Sequence, residues 1–445
     1  MNNRWVIALA GTISMICLGT VYSWSIFTQP LVASFGWSNT TTTWAFALAI
    51  FFLGVGAIVG GRWQDRVGPR RVAVTGVVLW GIGNFLAGLG TASLGPAWLY
   101  LTYGVVGGLG LGLGYVTPVA AVTKWFPDKR GVGSGMVVMG FGLGAFFYSN
   151  IVKMIRPFAE ASQRAAAYLA AKGGSADAAG LSMRPGDVSA VMNVLLVSGL
   201  VFILLGGLCS YLLVNPPEGY SRAGPSPSLA GSSRDYAPSE MFHTPQFYSL
   251  WFMLFLNVTA GILFISNAVP IMRELTRRAP ATVLGVYGVI AVFNGLGRFF
   301  WGWVSDRIGR NLAYLLIYGI QVVIFFSVSH AHALTLVGAL FAVVLLCYGG
   351  GFGTMPSFTA DYFGTKHMGV NYGWILLAWG VAGVVGPIFV AYVKDNTGSF
   401  SGALVYVAIM LIAAAVLPAV TRRPREGAAD EPRRPLFHRP AHPGL

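Results

Sequence analysis

Charge is scarce in this chain: Asp, Glu, Lys and Arg make up 10% of its 445 residues, against about 25% in a soluble globular domain. With 55% hydrophobic residues and a mean hydropathy of +0.66, that shortage excludes an ordinary water-soluble fold. Cysteine is nearly missing as well. Cys17, Cys209 and Cys347 sit in three different apolar runs, with neither metal-ligand spacing nor obvious pairing, and read as small packing residues. The six histidines (His243, His330, His332, His367, His438 and His442) fall in loops, at the ends of runs or in the tail. No Ser/His/Asp triad or metal cluster can be assembled from them, so neither an enzyme nor a metal or cofactor site is expected. Acidic residues number 15 against 29 Lys and Arg, a net charge of +14. The basic excess does not point to nucleic acid. It gathers in Arg62/Arg66/Arg70/Arg71, Lys124/Lys129/Arg130 and Arg422/Arg423/Arg425, between or after apolar runs. That is the positive-inside bias that orients a membrane protein.

Long apolar runs are what the chain has in abundance. Twelve are legible, at about 5–27, 41–61, 72–90, 96–120, 131–152, 188–214, 246–270, 281–303, 311–329, 333–356, 369–391 and 402–420. Each can cross a hydrocarbon core of ~30 Å. The first follows Met-Asn-Asn-Arg, but it is too long for a signal-peptide core and lacks a small-residue cleavage site, so it counts as a span. Most Lys and Arg fall on the side that carries both termini, the cytoplasmic side of a bacterial inner membrane. The chain then divides into a six-span half, 1–214, with an extracytoplasmic insertion at 153–187, and a second half, 245–420. A linker rich in Pro, Ser and Gly, 215–244, joins them, and an Arg- and Pro-rich tail, 421–445, is expected to be disordered. The polar stretch from Glu160 to Lys172 within the insertion is expected to be a solvated cap.

One positive charge stands apart. Arg298 lies inside the apolar stretch Val283 to Val304, with no Asp or Glu before Asp306. A charge at the centre of a bilayer costs ~2.5–3.5 kcal/mol on insertion scales, and such residues mark functional sites. Its neighbours Asn294, Gly295 and Gly297 cannot neutralise it, and no other run holds a mid-membrane acid. The missing anion is therefore expected to be the ligand: a small organic anion. Polar or aromatic residues at similar depth are candidate walls: Tyr22, Trp24, Tyr115, Phe141, Asn257, Tyr348 and Trp379. Tyr115 and Tyr348 hold comparable places in the two halves, and a Tyr hydroxyl can donate to a carboxylate while its ring seals the site.

The chain also contains itself twice. Gly61-Arg62-Trp63-Gln64-Asp65-Arg66-Val67-Gly68-Pro69-Arg70 follows the second span, and Gly302-Trp303-Val304-Ser305-Asp306-Arg307-Ile308-Gly309-Arg310 follows the eighth. Trp125-Phe126 after span four is answered by Tyr362-Phe363 after span ten. The Gly-x-x-x-Asp-Arg-x-Gly-x-Arg/Lys pattern resembles the loop signature of the major facilitator superfamily. It implies twelve helices in two six-helix pseudo-symmetric halves, with Gly61, Asp65, Arg66, Gly68, Arg70, Gly302, Asp306, Arg307, Gly309 and Arg310 as gating residues. The carboxylates can accept hydrogen bonds from a neighbouring helix N-terminus.

Shorter strings narrow the resemblance. Tyr22-Ser23-Trp24-Ser25, Lys124-Trp125-Phe126-Pro127-Asp128-Lys129-Arg130-Gly131, Phe293-Asn294-Gly295 with Arg298, and Asn371-Tyr372-Gly373 are similar to the oxalate:formate antiporter and bacterial monocarboxylate transporter group. This resemblance implies that Arg298 binds the substrate carboxylate. The antiporter's second cation, a lysine in span eleven, is matched here by Trp379, so a monoanion such as lactate, pyruvate or formate fits better than a dianion. Asn294 stands where eukaryotic carriers have an aspartate, so their proton scheme does not transfer. The Gly-rich spans four and five have no preceding strand and read as helix packing, not as a nucleotide loop. Span five also lacks the Gly-Pro pair of drug–proton antiporters. The expected function is a proton-coupled monocarboxylate transporter acting as a monomer. An organic-anion exchanger and a non-transporting carboxylate sensor on the same fold are the alternatives.

Overall fold

The computed structural model describes residues 3–172, 182–217, 219–220, 234–397 and 400–424. These are helical, with no strand among the described residues, and each of the twelve apolar runs falls on helix. Span one is Arg4–Gly19, continued by the turn Thr20–Ser23 and by Ser25–Phe35; span two is Asn39–Val67. Spans three and four are joined. Pro69–Leu99 turns at Gly95 (φ 76°), passes through a π-helical stretch, Tyr100–Gly107, and ends in Gly108–Trp125. Span five is Arg130–Met154, and span six runs from Pro185–Val201 through Phe202–Gly206 to Gly207–Tyr211.

The second half repeats the plan: span seven is Pro245–Thr276, nine Arg310–Ser327, ten Leu334–Phe363, eleven Met368–Thr397 and twelve Phe400–Val420. Span eight comprises Pro280–Ile290 and Val292–Ile308, its hydrogen-bond ladder tightening at Ala291, where Asn294 N–H donates to the Ala291 carbonyl at 3.2 Å. Eight helices are long and apolar enough to cross a membrane among the described residues, as an integral membrane protein requires.

Local chemistry sets the ends. Asn3, Ser38 and Thr244 accept from the backbone N–H groups of Trp5, Thr41 and Phe247, and Pro69, Pro185, Pro245 and Pro280 open helices where no N–H is needed. The two motif copies turn alike: Gly68 (φ 84°, ψ 167°) and Gly309 (φ 88°, ψ 157°) separate one helix from the next with backbone that only glycine adopts without strain.

Span two lies along span eleven and span five along span eight, the principal contacts between the halves. At the end carrying the motifs these pairs meet backbone to backbone. A Cβ at Gly61 would collide with the Gly369 carbonyl, and one at Gly302 with the Gly131 carbonyl. The expected solvated cap is in fact docked: Arg156–Lys172 buries Phe158, Ala161 and Ala165 against Ser25–Phe35 and span six, and Arg164 pairs with Asp187 at 3.0 Å. The remainder of the insertion at 173–181, the linker at 218 and 221–233, and the tail beyond 424 lie outside the described residues.

Candidate functional site

Arg298 is fully buried, and its Nε, Nη1 and Nη2 have no hydrogen-bond partner among the described residues. Glycine makes the room it occupies. A Cβ at Gly142 would stand 2.6 Å from Gly295 Cα and 2.9 Å from Arg298 Nε, and one at Gly353 would collide with the Arg298 carbonyl. The guanidinium lies 4.7 Å from the Phe352 ring centroid, 5.6 Å from Phe141 and 6.0 Å from Tyr22. Cation–π attraction of this kind is worth about 0.5–2 kcal/mol. Desolvating the charge costs several kcal/mol. The rings do not balance it.

Around it the aromatics form one cluster from both halves. Tyr22 packs 5.4 Å from Phe141, Tyr115 5.0 Å from Phe141 and 5.4 Å from Trp379, and Phe352 4.8 Å from Trp379. Tyr348 lies 5.5 Å from Phe352, in space that a side chain at Gly261 would fill. The hydroxyls of Tyr22 and Tyr115 sit close enough to feel the Arg298 charge but outside hydrogen-bond geometry. Both are buried and without a hydrogen-bond partner among the described residues, as are the Tyr372 hydroxyl and the Asn294 side-chain oxygen Oδ1. The chamber thus offers a cation and several free hydroxyls behind apolar walls.

Two sequence candidates have other tasks. Trp24 is not a wall of the chamber: its indole N–H donates to the Thr42 carbonyl at 2.9 Å and its ring packs 4.4 Å from Tyr103, inside the first half. Asn257 donates to the Tyr348 carbonyl at 3.1 Å, holding the backbone that carries Tyr348. Phe352 is not among the sequence candidates, and Tyr372 enters there only within the Asn371-Tyr372-Gly373 string, not as a site residue. Both are aromatics in apolar runs, and nothing local separates a chamber wall from a core residue.

The motif carboxylates each cap a helix of the opposite half. Asp65 accepts from the N–H groups of Gly369 (3.2 Å) and Val370 (2.9 Å), and Asp306 from those of Gly131 and Val132, both at 2.9 Å. Around Asp306 an ionic network adds to the cap. Arg310 pairs with Asp306 and Asp361, both at 2.8 Å, and Arg130 crosses from the first half to Asp361 at 2.7 Å. Arg66 and Arg307 are exposed; Arg307 lies over Trp303 at 3.6 Å, and Arg70 over Tyr211 at 4.4 Å.

This architecture has relatives. The profile of the Major Facilitator Superfamily matches residues 7–387. The oxalate:formate antiporter of Oxalobacter formigenes is 28% identical over 404 residues, 89% of this chain and 87% of that protein. Monocarboxylate transporter 13 of Rattus norvegicus is 23% identical over 428 residues, 92% and 86% of the two chains. Among solved structures, the E. coli fucose:proton symporter superposes with a TM-score of 0.65 at 14% identity, covering 93% of this chain and 97% of that one, a likeness of fold. An all-α bundle of two six-helix halves, closed at one end by paired motif loops around a buried cation, is a transporter fold and not an enzyme. The chain belongs to the Major Facilitator Superfamily, and its sequence is similar to the oxalate:formate antiporter and the monocarboxylate transporters.

Proposed function

We propose that the protein moves a small monocarboxylate of the lactate or pyruvate kind across a bacterial inner membrane, both termini cytoplasmic, by rocking 1–214 against 245–420. One observation carries this reading: Arg298 is charged, wholly buried and unpaired among the described residues, beside the free hydroxyls of Tyr22 and Tyr115. A carboxylate there would accept two parallel N–H bonds from the guanidinium and further bonds from the hydroxyls. Trp379, buried in the chamber wall, supplies no second cation, so a dianion would keep one charge desolvated and unpaired. An empty chamber with a bare cation resists occlusion, and a bound anion removes that resistance. Occupancy and movement are coupled in this way, since a ligand shifts an equilibrium only through differential affinity.

Proton symport completes the cycle by electroneutral transfer, one proton per anion, with the proton on the substrate or on the Tyr network. Every acid that follows from the described geometry, Asp65, Asp306 and Asp361 included, belongs to the loops and helix ends. Similarity to an antiporter favours a second reading, exchange of one anion for another.

Counterflow in proteoliposomes with a panel of short carboxylates tests the class. Lactate, pyruvate or formate should exchange and oxalate should compete poorly; equal competition by oxalate sinks the single-cation reading. Arg298→Ala should abolish transport, and Arg298→Lys should lose most of it, because an ammonium lacks the bidentate fork. Vesicles without internal substrate separate the two cycles: a symporter accumulates lactate on outside acidification and an exchanger does not.

A further inference from the structure

Each motif carboxylate closes onto a helix start of the other half, and each of those helix starts follows a short turn. The turn before span five runs through Phe126 and Asp128 to Gly131, and the turn before span eleven through Phe363 and Thr365 to Gly369. Phe126 and Phe363 are equivalent in the internal repeat, so Asp128 and Thr365, two residues on, are equivalent as well. Something outside the turn holds each of them.

Onto the first turn comes Arg4-Trp5, the opening of span one. Arg4 Nη1 pairs with Asp128 Oδ1 at 2.7 Å, its guanidinium lies 4.7 Å from the Phe126 ring centroid, and Trp5 stands edge-on to that ring at 5.1 Å. Onto the second comes Asp235-Tyr236, on the chain leading into span seven. Asp235 Oδ1 accepts from the N–H groups of Thr365 (2.9 Å) and Lys366 (3.0 Å), and Tyr236 N–H donates to the Phe363 carbonyl at 2.9 Å. The Tyr236 ring stands edge-on to Phe363 at 5.9 Å, and its carbonyl accepts from Asn371 Nδ2 at 2.9 Å. Gly364 (φ 78°) leaves the space: a Cβ there would collide with Asp235 Oδ1. In both halves, then, a charged residue followed by an aromatic enters ahead of the first helix, sets a ring against the repeated Phe and engages the residue two beyond it. The chemistry is reversed, a cation on a carboxylate in one copy and a carboxylate on backbone N–H groups in the other, so nothing in the sequence marks the two dipeptides as a pair.

We propose that Arg4-Trp5 and Asp235-Tyr236 are positioning residues of the gate: each holds the turn of its own half so that the N–H pair beyond it is set for the carboxylate of the other half. Arg4-Trp5 acts through Asp306, which takes Gly131 and Val132, and Asp235-Tyr236 acts through Asp65, which takes Gly369 and Val370. Every contact of these two dipeptides described above stays within one half, so it persists when the halves part. Closure then meets a helix start that is already ordered and does not carry the entropy cost of ordering the turn.

The test is the accessibility of a cysteine at Ser357→Cys, in full-length protein in vesicles with Cys17, Cys209 and Cys347 replaced. Ser357 is buried at the seam, 2.9 Å from Ser134 of the other half, so an impermeant maleimide applied from the motif end reaches it only when that end opens. Arg4→Gln and Asp235→Ala should each speed labelling about fivefold, the scale of one partly exposed ion pair. Trp5→Phe, which keeps an edge-on ring, should label like the parent, and Trp5→Ala should label faster. Because each dipeptide acts through one carboxylate, the effects should be crosswise. Arg4→Gln should add nothing to Asp306→Ala yet still speed Asp65→Ala, and Asp235→Ala should show the opposite pattern. A merely structural role would act alike in both backgrounds. Unchanged labelling in Arg4→Gln or Asp235→Ala, Trp5→Phe labelling as fast as Trp5→Ala, or effects indifferent to which motif carboxylate is present would each overturn the proposal. No substrate is needed, so a failure here is distinct from a failure of the monocarboxylate reading.

Discussion

The two copies of the loop motif make the same cap and fasten it differently. Asp65 and Asp306 each take two backbone N–H groups from a helix start in the other half. Beyond that the likeness ends. Four residues after Asp306 comes Arg310, which reaches both Asp306 and Asp361. Four residues after Asp65 comes Pro69, which opens span three but offers no donor, and among side chains the carboxylate accepts a hydrogen bond from Gln64 Nε2 at 3.1 Å. Helix N-terminal capping is the layer the two copies share; among the described residues, direct ion pairing across the halves belongs to the second copy alone. A pseudo-symmetric machine can thus place its stability on one side of its axis.

The largest effect that would break this comparison is at Asp361. Asp361→Asn leaves Arg130 without its acid and Arg310 with half its pairing, and losing one member of a buried network costs about 3–5 kcal/mol. We expect a lower thermal midpoint and faster labelling of a seam cysteine from the motif end. Next come Gly61→Ala and Gly302→Ala. Each added methyl meets a carbonyl of the facing helix, so both should prevent closure and lose most transport, to the same degree. Equality there and inequality elsewhere would separate the steric layer from the ionic one.

Third, Asp306→Asn should weaken closure more than Asp65→Asn, by about 1–3 kcal/mol, since it also removes a charged partner of Arg310; a reversed order in paired labelling rates would contradict the asymmetry. The smallest effects belong to Arg66→Ala and Arg307→Ala. Both residues are exposed, and changes within about 0.5 kcal/mol are expected in melting experiments.

Much of this was open to a reader of the sequence, for physical reasons. Arg298 announced itself because a charge in an apolar run has no ordinary explanation. The paired motifs did so because Gly, Asp and Arg at fixed spacing recur at matching places. Other features had no local signal. Asp361 looks like any helix-end acid until Arg310 and Arg130 are brought to it from two distant segments. Phe352 is one aromatic among many in apolar spans. Trp24 shares its depth with Tyr22, yet helix rotation directs its N–H to Thr42, and rotation is what an apolar run without a polar face leaves undetermined. The Glu160–Lys172 stretch is polar enough to suggest solvent on all sides, whereas the helix that contains it, Arg156–Lys172, buries Phe158, Ala161 and Ala165 and is docked.

Glycine on carbonyl at the seam has a thermodynamic consequence. Where Gly61 meets Gly369 and Gly131 meets Gly302, no side chain is trapped on closing and none is released on opening. Ordering a long side chain costs up to about 2 kcal/mol in lost rotamers, and ordering glycine costs none. These glycine contacts therefore contribute almost no rotamer entropy to the equilibrium. The rotamer cost of closing then falls on the charged side chains beside them, Arg130, Arg310, Asp306 and Asp361.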